Sequence, residues 1–446
     1  MSDKLVIFDE VQHKVLKIRI YPNQDQTILI NKTFGSCRKL YNEHLQERNE
    51  FYIDNILSIP KEERQLKSKE IYKKFKPKTE KEWKVIYPYM TEVSSAALQQ
   101  ARMDCDQAFV NFFKSNNGSR KGKSGFPKFK SKHNNYQSYR EVNTNNNCSL
   151  NFEERKVKIP KIGKVSFKDR KFPTWWDRKT KLCSMTIEKS CSNQYFVAIL
   201  FEVQKAVHKI DNRKDAIGMD FSPAEMYINS DGLSGKDFGY VAQKQAHHKQ
   251  LKKLSKRLAR KQKGSNNRNK ARIKLARLEE HIANSRKDWI EKESLRLVRS
   301  YDKVVVEDLN LKGISKFLRN AKNMNDTSWA TFVSRLQAKG EDYDCEVIKA
   351  DRYFPSSKLC SCCGWKYENL TLDIRKWTCP KCGTSHIRDV NAAINLKNYV
   401  PMEGRELTPV ESDKVKSLAL LALQVGSLNE AGNHSQATNG RNVLGL

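Results

Sequence analysis

The chain is 446 residues long, with 83 Lys and Arg against 51 Asp and Glu and a formal net charge of +32. A single hydrophobic core stops growing well below that length, so two or three cores are expected. A cation excess of that size speaks against an ordinary enzyme of small metabolites and for a surface that neutralises a polyanion. With 38% hydrophobic residues, 19 Phe and 7 Trp, the chain is expected to form folded domains rather than a disordered basic tail.

Lys14 to Tyr21 alternates as a half-buried strand does, and Pro22-Asn23 ends it. Helical spacing follows from Gln24 to Phe51, carried by Leu29, Phe34, Leu40, Tyr41 and Leu45, and again from Ser94 to Lys114. The lysine-rich interval between them, Lys61 to Lys81, reads as a loop or exposed helix. Gly118 to Lys132 reads as a loop, in which Phe126, Lys128, Phe129 and Lys130 mix aromatic and basic side chains. From Ser138 to Val203 the chain breaks into short apolar runs between turns, the pattern of a barrel-like or sandwich sheet resuming after a helical insertion.

Asp211 to Lys214 reads as a linker. Beyond it, Ala216-Ile217-Gly218-Met219 ends in Asp220, and Met226-Tyr227-Ile228 is closed by Asp231-Gly232, a strand and hairpin. A polar helix pair split at Gly264-Ser265-Asn266-Asn267 follows. Two further strands are expected, Lys303 to Val306 ending at Glu307, and Cys345 to Lys349 ending near Asp351. Periodicity is lost after Glu403, and a mobile tail is expected there.

No apolar run reaches the roughly 18 residues of a membrane span, and Met1-Ser2-Asp3-Lys4 lacks the charged lead and cleavage site of a secretory signal. A cytoplasmic, nucleoid-associated protein without a membrane partner is therefore expected. The eleven cysteines are diluted over a long chain, and in a reducing compartment paired cysteines read as metal ligands. Cys360 and Cys363, then Cys379 and Cys382, have the spacing of two knuckles that place four thiolates around one structural Zn²⁺. Cys362 is out of register, and His386 has a poorer offset as an alternative ligand.

Three acids form a second constellation. Asp220 and Glu307 end apolar strands, and Asp389 opens the helical run Arg388-Asp389-Val390-Asn391-Ala392-Ala393. Carboxylates at adjacent strand ends can converge and hold Mg²⁺, and a pair of such ions serves phosphodiester hydrolysis. By spacing alone the case is weak, because strand-terminal acids are commonly just solvated and Asp389 reads as a helix cap. Asp308 should point to the opposite face from Glu307.

Taken in order, Ile217-Gly218-Met219-Asp220, Val306-Glu307-Asp308-Leu309-Asn310, the double C-x-x-C and Arg388 to Ala393 resemble TnpB, the transposon-encoded family of RNA-guided nucleases related to compact type V CRISPR effectors. Lys17 to Asn23, Phe34 to Asn42, Leu98 to Ala101, Gly125 to Lys130 and Asp351 to Lys358 are similar to that family too, so the resemblance spans roughly residues 14 to 410. It implies a multidomain α+β chain. A β-barrel wedge domain (1–22 and 121–210) would be interrupted by a helical recognition domain (23–120). An RNase H-like RuvC domain (211–355 and 386–410) would carry a zinc ribbon insertion (356–385) and a C-terminal tail (411–446). It further implies Asp220, Glu307 and Asp389 as catalytic Mg²⁺ ligands, with guide RNA and double-stranded DNA as partners. The chain departs from the family after Asp220, where Phe221-Ser222-Pro223-Ala224-Glu225 leaves the hairpin geometry open.

Between Lys249 and Lys274 twelve Lys and Arg occur without an acid. Lys252, Lys253, Lys256, Arg257, Arg260, Lys261, Arg268, Lys270 and Arg272, with Lys128 and Lys130, are the expected phosphate contacts, holding a guide and its heteroduplex by backbone and shape. Trp175-Trp176 reads either as a stacking platform for bases or as core. The competing class is a zinc-ribbon regulator of transposition that binds nucleic acid without cutting it. Nothing in the sequence separates monomer from dimer.

Overall fold

In the computed structural model, residues 3–401 are described apart from 61–62, 65–66, 68–69, 72, 121, 170–171, 177–178, 310–327 and 372. The expected tail at 411–446 lies outside the described residues. Strand β1 (Asp3–Tyr21) buries Ile18 and Ile20 while Lys17 and Arg19 face outward, the two-residue period of a pleated strand. Asn23 then caps helix α1 (Gln24–Tyr52): its side chain accepts from the Gln26 amide while the Gln26 side chain accepts from the Asn23 amide. One face of α1 buries Ile30, Phe34, Cys37, Leu40, Tyr41 and Leu45. Helices α2 (Glu80–Ile86) and α3 (Ser95–Asn116) follow, and α3 packs along α1.

Six more strands complete a sheet with β1: β2 (Gln137–Val142), β3 (Ser149–Asn151), β4 (Lys156–Ile159), β5 (Gly163–Phe167), β6 (Lys181–Lys189) and β7 (Tyr195–Ile210). Their order is β2-β6-β7-β1-β5-β4-β3. Every pairing is antiparallel, and β1 runs along β7 from Ile20↔Tyr195 to Asp3↔Ile210. Tyr139 on β2, at one end of that order, and Val157 on β4, next to the other end, share one core with Phe34 and Leu98 of the helices. The sheet therefore curls around a core into which the helices also pack. Phe34 meets Tyr139 edge-on at 5.5 Å, and the Ser94 hydroxyl donates to Glu141 at 2.8 Å. Trp175 and Trp176 belong to this core, 5.4 and 5.5 Å from Phe201, so they act as packing and not as free stacking platforms.

The stretch read as a linker is three residues, because β8 (Lys214–Ser222) begins at Lys214. Arg213 fastens this junction, its guanidinium donating to the carbonyls of Val298, Tyr343 and Asp344. The second sheet contains β8, β9 (Met226–Asn229), β10 (Tyr301–Glu307) and β11 (Glu346–Ala350) in the order β11-β10-β8-β9. β10 lies parallel to both neighbours, and its Val304, Val305 and Val306 are fully buried, as a parallel strand covered on both faces requires. Helices α4 (His248–Ala259) and α5 (Asn266–Ser300) lie between β9 and β10, and α6 (Trp329–Tyr343) precedes β11. A two-stranded ribbon, β12 (Lys376–Thr378) and β13 (Ser385–Ile387), runs directly into α7 (Arg388–Lys397). Among the described residues, no helix is long and apolar enough to cross a membrane.

Candidate active site and metal centre

Val306 pairs with Met219 in the parallel β8–β10 ladder, so the residues that follow them, Glu307 and Asp220, emerge side by side from the carboxyl end of the sheet. That edge is where open α/β sheets present ligands. Asp389 comes from α7, which lies across β8, β9 and β10. The helix can approach because residue 218 is glycine: a Cβ there would overlap the Ala393 carbonyl oxygen and the Lys397 amide. The Ile-Gly-Met-Asp run thus puts a strand, a helix seat and an acid in four residues.

The three acids share an electrostatic environment. Burial pushes the Asp220 carboxyl well above the usual range, the Glu307 and Asp389 carboxylates push it further, and Arg388 opposes them. Burial also raises Glu307, partly offset by a hydrogen bond with Asp220. Asp389 is held by Arg375 and Arg388, each at 3.2 Å. Like charges crowded at a half-buried edge are relieved by a cation, and three carboxylates are the hard oxygen donors that Mg²⁺ takes. Asp220 and Glu307 share a hydrogen bond, but the three carboxylates do not gather within 4.8 Å of one another. By donor chemistry the three carboxylates suit Mg²⁺. Asp308 turns away and pairs with Arg352 at 2.7 Å. In the divergent stretch after Asp220, Ser222 pairs with Met226 across a tight hairpin, and Glu225 is tied to Lys236 at 2.9 Å.

The Sγ atoms of Cys360, Cys363, Cys379 and Cys382 all lie within 4.8 Å of one another, with Cys360–Cys382 and Cys363–Cys379 at 3.6 Å. Sulfurs about 2.3 Å from a tetrahedral zinc sit at roughly 3.8 Å separations, so the cluster could hold a zinc ion. Gly364 and Gly383, at φ 72° and 73°, close the two turns, and their amides donate to the carbonyls of Cys360 and Cys379. His386 is beside the cluster: its Nε2 lies 3.1 Å from the Cys360 sulfur, and its ring is 4.7 Å from Trp377. Cys362 is exposed and outside the cluster.

The basic residues divide by what they touch. Lys252, Lys253, Lys256 and Arg257 on α4 and Arg260 at its C-cap are exposed, as are Lys270 at the start of α5 and Lys128 in the loop. Arg268 instead donates to the carbonyls of Leu258 and Lys261, closing the turn between α4 and α5. Arg272 reaches the Cys191 carbonyl on the β6–β7 turn at 2.7 Å. Lys130 sets its ammonium 4.0 Å over the Tyr41 ring, while Asn42 grips the Lys130 backbone at both N and O. Those three are engaged in the fold, and Lys261 is half-buried. Phe126 packs against Phe109 and Phe112. The density of charge did not distinguish these roles.

A curated relative from Streptomyces pristinaespiralis, named "Putative RNA-guided DNA endonuclease", is 30% identical over 383 residues, 86% of this chain and 88% of that one. The chain belongs to the TnpB family. A TnpB-like protein of Acanthamoeba polyphaga mimivirus, L79, is 32% identical over 128 residues, 27% of this chain and 24% of that protein. Family profiles match at residues 12–55 ("Helix-turn-helix domain"), 198–318 ("Probable transposase") and 329–396 ("Cas12f1-like, TNB domain"). In this TnpB chain the first of those segments folds as β1 and α1, a strand and one long helix. The last contains the four cysteines and Asp389. Among solved structures, the Cas12f1-sgRNA-target DNA complex aligns at 14% identity and a TM-score of 0.48, over 87% of this chain and 99% of that one, a likeness too distant to assign a partner.

Proposed function

We propose that this TnpB protein is an RNA-guided DNA endonuclease, with Asp220, Glu307 and Asp389 as its catalytic carboxylates. The observation that carries the reading is Asp220 and Glu307 side by side just past the end of the parallel β8–β10 ladder, beneath a helix bearing a third acid. Burial and the neighbouring carboxylates raise the Asp220 carboxyl, and burial raises Glu307, the electrostatic cost that a bound cation would relieve. Mg²⁺, in two ions, would supply Lewis-acid stabilisation and a water of lowered pKa. Asp220 and Glu307 would bind from the sheet side and Asp389 from the helix side. The chain's task is to keep these oxygens fixed, so that hydrolysis needs no protein nucleophile. The four thiolates would hold a structural zinc with no open position.

The exposed cations of α4 would receive phosphates of a guide RNA and its DNA heteroduplex, a contact that reads shape and charge while base pairing supplies sequence. The curled sheet and the helices packed into it would form the wedge and recognition regions that probe a short DNA motif beside the target. One active site would cut both strands in turn. The test is cleavage of a supercoiled plasmid library by purified protein with its co-purified RNA and Mg²⁺. Guide-matched linear product is expected, and tight binding without cutting would instead mark a nucleic-acid-binding regulator.

A further inference from the structure

We propose that Asn391 is a positioning residue that transmits zinc occupancy at the knuckle to the carboxylate of Asp389, a role that rests on the nuclease reading above. Helix α7 starts without a side-chain cap: Ile387 occupies that place and makes no such bond. Its first turn, which carries Asp389, therefore takes its orientation from tertiary contacts. Beside the Arg388 amide, which donates to the Arg375 carbonyl, Asn391 supplies two of them. The side chain is 1% exposed, its Nδ2 donates to the Leu359 carbonyl at 2.6 Å, and its Oδ1 accepts from the Ser361 amide at 2.9 Å.

Leu359 and Ser361 are the two neighbours of Cys360, so one buried amide straddles a zinc-site cysteine. One turn along, Asn395 repeats the contact, its Nδ2 donating to the carbonyls of Ser356 and Leu359 at 2.7 Å each. A knuckle keeps its backbone shape because the metal holds its thiolates, and without the metal such turns lose their order. When the turn loosens, the partners of Asn391 move, and with them Asp389, two residues before it. The zinc would then act on cleavage from outside the reacting groups, by fixing where the third carboxylate stands.

The test measures amide hydrogen exchange in α7 of the full chain, without Mg²⁺, before and after zinc is stripped by a chelator. In the natural protein, stripping is expected to speed exchange at the start of α7 on the order of tenfold, what one or two lost hydrogen bonds give. Asn391→Ala should keep its zinc and melt cooperatively, yet exchange there as fast with zinc as without it. Asn391→Asp retains the acceptor for Ser361 and loses the donor to Leu359, so its exchange should fall between the two. In the cleavage assay Asn391→Ala should lose on the order of a hundredfold in kcat with guide-RNA affinity unchanged, the scale of a misplaced reacting group. Slow, zinc-sensitive exchange in Asn391→Ala, or undiminished cleavage by it, overturns the proposal. If the natural protein cuts nothing, the nuclease reading fails, while the exchange data still decide whether zinc and α7 are coupled through Asn391.

Discussion

Gly218 on β8 lies directly beneath Ala393 of α7, so close that the space for a Cβ is filled by the Ala393 carbonyl oxygen and the Lys397 amide. Both obstacles are backbone and cannot rotate away. Gly218→Ala must therefore lift α7, and with it Asp389. Overpacking of this kind costs about 1–3 kcal/mol, so a lower melting temperature and loss of cleavage are expected, with zinc content and RNA affinity kept. Wild-type cleavage by Gly218→Ala would show that the seat of α7 does not matter.

Glu141 gives a pH dependence far from the acids. Burial pushes its carboxyl up to about 7, the Ser94 hydroxyl pulling it partly back, and its Oε1 has no partner among the described residues. Below the ordinary carboxylate range the group is neutral in both the folded and unfolded chain and costs nothing. As pH rises from that range toward 7, the folded state keeps a proton that the unfolded state has lost, and stability falls by up to about 3 kcal/mol. Glu141→Gln should remove this slope and be the more stable form at pH 8, with no advantage near pH 4. Denaturant melts at the two pH values check it, and parallel slopes for both proteins would contradict it.

Metal analysis of the purified chain should return about one zinc per molecule from the four-thiol cluster. Cys379→Ser is expected to lose that zinc and to lower the melting temperature, whereas Cys362→Ser, outside the cluster, should change neither.

The basic residues can be sorted by salt. Replacing Lys252, Lys253, Lys256, Arg257 and Arg260 together with Ala should flatten the dependence of RNA affinity on salt, because each lost phosphate contact removes released counterions. Arg268→Ala should leave the slope nearly unchanged and lower the melting temperature, since its guanidinium closes the α4–α5 turn. Equal effects of the two changes on the slope would count against this division.

The site residues were legible wherever local chemistry forces a pattern. Apolar runs that stop at Asp220 and Glu307 are what buried parallel strands ending at a polar edge must look like, and the cysteine spacing is fixed by tetrahedral geometry. Partnership across the chain was not legible. Arg268, Arg272 and Lys130 look like their lysine-rich neighbours, and only the fold brings Leu258, Cys191 and Tyr41 to them. Likewise the two tryptophans read equally as platform or core until Phe152 and Phe201 stand against them. Residues 24–52 carry their own helical period, which gives no sign that Phe34 packs on Tyr139 in the core of the sheet. Asn391 was visible in its motif, but its task depends on Leu359 and Ser361, more than 25 positions away.

The most direct measurement compares the natural protein with Asp220→Ala, each purified with its RNA and given Mg²⁺ and a plasmid matching the guide. The account predicts linear product from the first and none from the second, with equal RNA affinity and equal binding of the matched DNA. Linear product from Asp220→Ala at the natural rate would contradict the assignment of these carboxylates.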